Sequence, residues 1–123
     1  MEEFVLGTME TRFAEIIWDT APVTTAELVK RCEKAFGWKR TTTYTMLKRL
    51  CQRELFRMEH SIVTVLVSRE EFLANRSRYF VNKTFGGSLP AFIATFTRDR
   101  RLSQEDADAL QRLIDESRKE GSV

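Results

Sequence analysis

The sequence is short of the residues on which small metal- or disulfide-held proteins depend. Its 123 residues include two cysteines, Cys32 and Cys51, with no close-paired spacing, which excludes a disulfide scaffold and a cysteine-based zinc site. A single histidine, His60, leaves no metal-ligand cluster, so no metal and no cofactor are expected. There is no glycine-rich phosphate loop, and Gly86-Gly87 reads as a helix stop. No apolar run approaches the roughly 20 residues of a bilayer span, which argues against membrane insertion. The acidic start, Met1-Glu2-Glu3-Phe4, lacks a basic region followed by a long apolar stretch, so no secretory signal is expected. Together with the sparse cysteines, this predicts a cytoplasmic location. With only 2 prolines and 5 glycines against 42% hydrophobic residues, a disordered or low-complexity chain is excluded as well.

Charge is plentiful, at 31% of residues, but the net of +2 hides blocks of opposite sign. Residues 1–27 carry −5, residues 28–57 carry +7, residues 58–101 carry +3 and residues 102–123 carry −3. Such asymmetry points to a polyanionic partner for the second block.

Apolar periodicity predicts a first helix over about Thr8 to Asp19, with Thr8 as N-cap, Met9, Phe13, Ile16 and Ile17 on one face, and Thr20-Ala21-Pro22 as its stop. Thr24-Thr25-Ala26-Glu27 has the spacing of a capping box, in which Glu27 reaches back to the Thr24 amide. It opens a second helix with Leu28, Val29 and Cys32 inward, ending near Phe36-Gly37. A third helix, about Arg40 to Arg53, places Tyr44, Leu47, Leu50 and Cys51 on an apolar stripe. Its run Thr41-Thr42-Thr43 is poor helix-forming sequence, and a first turn that must touch something is a reason to accept it. Leu55 to Val67 switches to strand formers around Glu59-His60-Ser61, predicting a short hairpin. Ser68-Arg69-Glu70-Glu71 then caps a helix to about Lys83, Ser88 caps a short one, and Ser103 opens the last, with Ala107, Leu110, Leu113 and Ile114 on one face and Gly121 at its end.

The predicted fold class is mainly α: an N-terminal winged helix-turn-helix of three helices and a short β-hairpin over residues 1–67, then a three-helix dimerisation domain over residues 68–123. In a winged fold the third helix enters the major groove of DNA, its N-terminal residues meeting base edges. That end offers Lys39, Arg40, Thr41, Thr42 and Thr45, whose hydroxyls bond phosphates or bases and whose methyls pack on thymine. Lys48, Arg49 and Arg53 lie further along, suited to phosphates. A basic third helix that binds an acidic protein partner, without specific DNA binding, is the alternative. An enzyme is not indicated: Cys51 sits on an apolar stripe, and Glu70-Glu71 is a helix first turn where acids favour the macrodipole. Five of the nine phenylalanines, among them Phe72, Phe80, Phe85, Phe92 and Phe96, fall within 25 residues. With Leu89, Ile93, Leu110, Leu113 and Ile114 they predict a homodimer face, since readers of this type commonly pair half-sites by two-fold symmetry; packing back on the N-terminal unit and closing into a self-contained minidomain are the alternatives.

Over Leu6 to Ser117 the chain resembles the BlaI/MecI-type penicillinase repressor family. The resemblance rests on Leu6-x-x-x-Glu10 running on to Ile16-Ile17-Trp18, and on Trp38-x-x-x-Thr42-x-x-Thr45-x-x-x-Arg49-Leu50. It continues in Val67-Ser68-Arg69-Glu70-Glu71, Phe85-Gly86-Gly87-Ser88-Leu89 and Leu102-Ser103-x-Glu105. It implies a homodimeric repressor on a palindromic double-stranded DNA operator, often of a β-lactam resistance operon, with Thr41, Thr42, Tyr44, Thr45 and Arg49 as DNA contacts. It also implies a membrane sensor protease pathway that cuts an Asn-Phe bond, for which this chain has Thr95–Phe96. The hairpin lacks the family's Gly-Arg tip, Glu54 stands where a glycine usually follows the recognition helix, and the tail from Glu116 to Val123 has no cysteine for copper sensing.

Overall fold

A computed structural model describes residues 5–121; the acidic run Met1–Phe4 lies outside the described residues. The elements are α1 (Thr8–Thr20), β1 (Val23–Thr24), α2 (Thr25–Phe36), α3 (Arg40–Gln52), β2 (Phe56–Glu59), β3 (Ile62–Val65), α4 (Arg69–Phe85), α5 (Leu89–Phe96) and α6 (Gln104–Gly121). The architecture is mainly α with one small sheet, as the sequence predicts. Two compact units divide the chain, the first extending through Phe80 and the second beginning at Val81, with α4 running through that point.

Local chemistry sets the ends of the helices. Gly7, rather than Thr8, is the N-cap of α1: its amide donates to Glu10 Oε1 at 2.9 Å and its carbonyl accepts from the Thr11 amide at 2.8 Å. Thr24 caps α2, its hydroxyl accepting from the Glu27 amide at 3.1 Å, while the Glu27 carboxylate turns to Arg31 at 3.0 Å. Gly37 closes α2 in the left-handed region, φ 69°, and turns the chain toward α3. Ser68 and Glu71 form both halves of a capping box, the Glu71 amide donating to Ser68 Oγ at 3.0 Å and the Ser68 amide to Glu71 Oε1 at 3.4 Å. Ser88 and Ser103 accept from the Ala91 and Asp106 amides at 3.1 and 3.0 Å.

The end of α3 is a Schellman turn: the Leu55 amide donates to the Leu50 carbonyl at 3.2 Å and the Glu54 amide to the Cys51 carbonyl at 2.9 Å. Leu50 and Leu55, both buried, supply its hydrophobic contact. The residue in the left-handed position, where glycine is favoured, is Glu54, at φ 61°.

The expected hairpin becomes the larger part of a three-stranded antiparallel sheet, ordered β1-β3-β2. Phe56 pairs with Val65 and Met58 with Val63, while β1 adds Val23 opposite Val63 and Thr24 opposite Ile62. His60 and Ser61 form the two-residue turn, both at positive φ, and the Ser61 carbonyl accepts from the Thr25 amide at 2.9 Å. The strand β1 is not signalled in the sequence, because two residues are too few to show alternation.

One core fills the first unit. Leu6, Phe13, Ala14 and Ile17 from the N-terminal side meet Leu28, Cys32, Leu47, Leu50, Phe56 and Val63. Phe72, from the second turn of α4, joins them and lies with its ring 5.7 Å from that of Trp18. The stripe of α3 is turned one residue from expectation: Thr43, Met46, Leu47 and Leu50 are buried, and Tyr44 and Cys51 flank them half-buried.

In the second unit no described residue is buried. The rings of Phe85, Phe92 and Phe96 follow one another at 5.6 and 6.0 Å, and Ile93 and Leu110 are half-buried. Leu89, Phe96, Leu113 and Ile114 are each more than half exposed.

Candidate nucleic-acid interface

The interface is built on α3, which the packing holds with one face in the core and the opposite face in solvent. Thr41, Thr45 and Lys48 follow at four- and three-residue steps along the exposed face, with Thr42 and Arg49 beside them one turn round. All five are exposed, as are Lys39 and Arg40 at the helix start. Lys39 is the N-cap and makes no side-chain cap hydrogen bond, so the positive end of the helix dipole is reinforced by two cations rather than screened by an acid. The Thr45 hydroxyl donates to the Thr41 carbonyl at 2.9 Å, which uses its proton and leaves the oxygen able to accept. The arrangement is a row of short hydroxyl and methyl groups edged by cations, suited to base edges in the middle and phosphates at the margins.

Tyr44 sits at the edge of this face. Arg40 stacks its guanidinium over the ring, 5.4 Å from the centroid, and a hydrogen bond with the Thr25 hydroxyl is the main cause that holds the phenol below its ordinary pKa. The phenol thus stands beside Thr25 at the start of α2, whose amide donates to the Ser61 carbonyl of the hairpin tip at 2.9 Å. The place of Thr25 is not visible in the sequence, since it depends on β1 bringing the hairpin to α2.

Arg53 departs from the other cations. Its Nη2 donates to the Val5 carbonyl at 2.7 Å, Nη1 lies 3.9 Å from Glu10 Oε2, and the side chain is only 22% exposed. It fastens the N-terminal segment to the end of α3 instead of standing on the open face. Arg49 is more open, with Nη1 3.9 Å from the same Glu10 oxygen and 3.7 Å from Met46 Sδ. Phe72, placed by the sequence among dimer contacts, is 2% exposed in the first-unit core, because the first turns of α4 fold against Trp18. Phe80 is exposed, in the last turns of α4. Thr95 and Phe96 lie at the end of α5, exposed, with the Thr97 amide donating to Ile93 at 2.9 Å and the Arg98 amide to Thr95 at 3.3 Å.

Neither cysteine has the setting of a nucleophile. Burial pushes both thiols above their ordinary pKa, and the Thr43 hydroxyl beside Cys32 counters this only in part. Among the described residues no group of three or more His, Cys, Asp and Glu side chains is placed to hold a metal ion, and no helix is long and apolar enough to cross a membrane.

The sequence profile of the penicillinase repressor family matches residues 6–116. A penicillinase repressor from Bacillus licheniformis is 23% identical over 111 residues, covering 87% of each chain. Another, from Staphylococcus aureus, is 20% identical over 105 residues, covering 82% of this chain and 83% of the relative.

Proposed function

Because the chain belongs to the penicillinase repressor family, a family of transcriptional repressors, we propose that it acts as a cytoplasmic homodimer that occupies a palindromic operator and blocks transcription. The role is occlusion by binding and asks for no chemistry of the protein's own. One observation carries the reading: the exposed face of α3 presents Thr41, Thr42 and Thr45 from the first turns of the helix and Lys48 and Arg49 further along, all open to solvent. Residues 1–67 serve as the DNA-binding part, and Lys39, Arg40 and Tyr44 complete the contact set. Arg53 supports it from behind.

Dimerisation falls to the helical part, residues 68–123. The support is its exposed apolar side chains, Leu89, Phe96, Leu113 and Ile114, which lie in the unit from Val81 onward, where no described residue is buried. Two such faces would cover one another across a two-fold axis, and the paired α3 helices would enter major grooves about 34 Å apart, one turn of B-DNA. Control of a β-lactam resistance operon, and release through a membrane sensor protease pathway, belong to the same reading. Phe96 is then part of the dimer face. A cut at Thr95–Phe96 is the accompanying hypothesis, and it needs the end of α5 to unwind first.

A gel-shift titration against an inverted repeat from the chain's own promoter tests the reading, with light scattering to weigh the free protein. A retarded complex and a dimer mass are expected. No complex with duplex DNA at near-physiological salt, together with capture of an acidic protein partner, would overturn it in favour of an interaction module. An intact Thr95–Phe96 bond after the activated cognate sensor has relieved repression would remove the cleavage hypothesis alone.

A further inference from the structure

We propose that Arg69 and Trp18 form a latch that fixes the direction in which α4 leaves the winged unit, making them positioning residues for the spacing of operator half-sites. The inference rests on the dimeric reading above and deepens it. All of its contacts lie within the first unit. The amides of Leu66 and Val67 both donate to the Leu55 carbonyl, at 3.0 and 3.1 Å, and the Val67 carbonyl accepts from Trp18 Nε1 at 2.9 Å. Ser68 caps the helix. Arg69 then reaches back to α1, its Nε donating to Glu15 Oε2 at 2.8 Å and its Nη2 to Asp19 Oδ1 at 2.6 Å, with the guanidinium 5.7 Å from the Trp18 ring centroid.

The segment from Val65 to Arg69 is thus held at each residue, by backbone on one side and by a forked cation on the other. A linker of that length without such ties would be a hinge. Apolar packing of Phe72 on Trp18 anchors α4 but is non-directional. The forked guanidinium, gripping two carboxylates one helical turn apart on α1, adds the directional restraint that packing lacks. In a dimer whose two readers must meet grooves a fixed distance apart, a directed α4 raises the effective concentration of the second reader at its half-site. It also penalises operators whose half-sites are displaced.

The test uses the full-length dimer. Affinities of wild type and Arg69→Gln are measured on a duplex with both half-sites, on a duplex with one, and on operators with one or two base pairs inserted between half-sites. Half-site affinity is expected to stay within about twofold, whereas the ratio of full-site to half-site affinity falls roughly tenfold as effective concentration drops. The penalty for inserted base pairs should shrink. Trp18→Phe, which loses the N–H together with the indole's second ring but leaves an aromatic face beside Phe72, should move the same readouts less. An unchanged ratio and spacing penalty in a folded Arg69→Gln dimer would overturn the proposal, as would equal losses on full and half sites that merely track lost stability. A wild-type chain that did not dimerise, or did not prefer two half-sites to one, would instead refute the underlying repressor reading and this role with it.

Discussion

Glu54→Gly should stabilise the protein, against the usual trend for surface substitutions. Glu54 occupies the C′ position of the Schellman turn that ends α3, at φ 61°. A residue with a Cβ in that conformation costs roughly 1–2 kcal/mol. Glycine removes this cost but gives up about 0.5–1 kcal/mol of extra chain entropy in the unfolded state. The net gain is therefore about 0.5–1 kcal/mol, and nothing in the turn opposes it, because both closing hydrogen bonds are made by backbone. Glu54→Ala is the necessary companion. It removes the same charge from the C-terminal end of a helix, where an acid is unfavourable, yet leaves the strained backbone as it is. The difference between the two variants isolates the backbone contribution. Urea denaturation at one fixed protein concentration is the appropriate assay, and for slopes of 1–3 kcal/mol per molar the midpoint should rise by roughly 0.2–1 M relative to Glu54→Ala. A Glu54→Gly midpoint equal to or below that of Glu54→Ala would refute the reasoning.

Thr43→Val replaces a buried hydroxyl that stands beside the Cys32 thiol but makes no hydrogen bond of good geometry among the described residues. It should be neutral or stabilising by about 1 kcal/mol in the same denaturation assay, with operator affinity unchanged. Arg49→Ala should weaken operator binding by about 1–3 kcal/mol in a gel-shift titration. Equal affinity would remove Arg49 from the contact set. Lys48→Ala should lower the slope of log affinity against log salt by about 1 per half-site, with a nearly uniform loss across operator sequences. For the thiols, a folded-state pKa raised by burial means that the unfolded chain loses its protons first. Stability should therefore be intact below the ordinary thiol value of 9.0 and decline as pH rises through and above it, and Cys51→Ala should flatten part of that decline in denaturation curves taken between pH 8 and 10.

The helices are legible in the sequence because their signals are local. Ser68, Ser88, Ser103 and Thr24 each precede an apolar period and each caps in the structure. What resists reading is what depends on distant partners. The rotation of α3 by one residue turns on Thr43, a polar residue that three-dimensional packing draws inward beside Cys32. Arg53 contributes to the +7 block, but its partners, Val5 and Glu10, come from the −5 block more than forty residues earlier. Likewise Glu15 and Asp19 spend their charge on Arg69. Charge summed along the chain marks α3 as the basic element, and only the fold separates cations facing solvent from those tied to α1. The compact unit that runs through Phe80 takes in the start of α4 for the same reason. Phe72 looks like part of an aromatic run, and nothing local says that Trp18, on α1, will claim it.

The two units are held together by different means, and in a dimeric repressor that difference bears on how it would be released. The reading face of α3 stands on a core that a single copy completes, from Phe13 and Ile17 to Leu47, Phe56 and Phe72. Among its described residues the second unit buries none, so in the proposed dimer its order would depend on what covers Leu89, Phe96, Leu113 and Ile114, and association and local folding would become one equilibrium. An event that disturbs this unit, whether a cut in α5 or simple dilution, need not touch a single base contact. It would leave each reader intact and remove only the linkage between them, and occupancy of a palindrome falls steeply when the second half-site must be found independently. In the proposed dimer an inducing signal would therefore have its strongest leverage at the part of the chain farthest in function from DNA, and the α3 face would stay rigid and selective while the protein remained easy to displace.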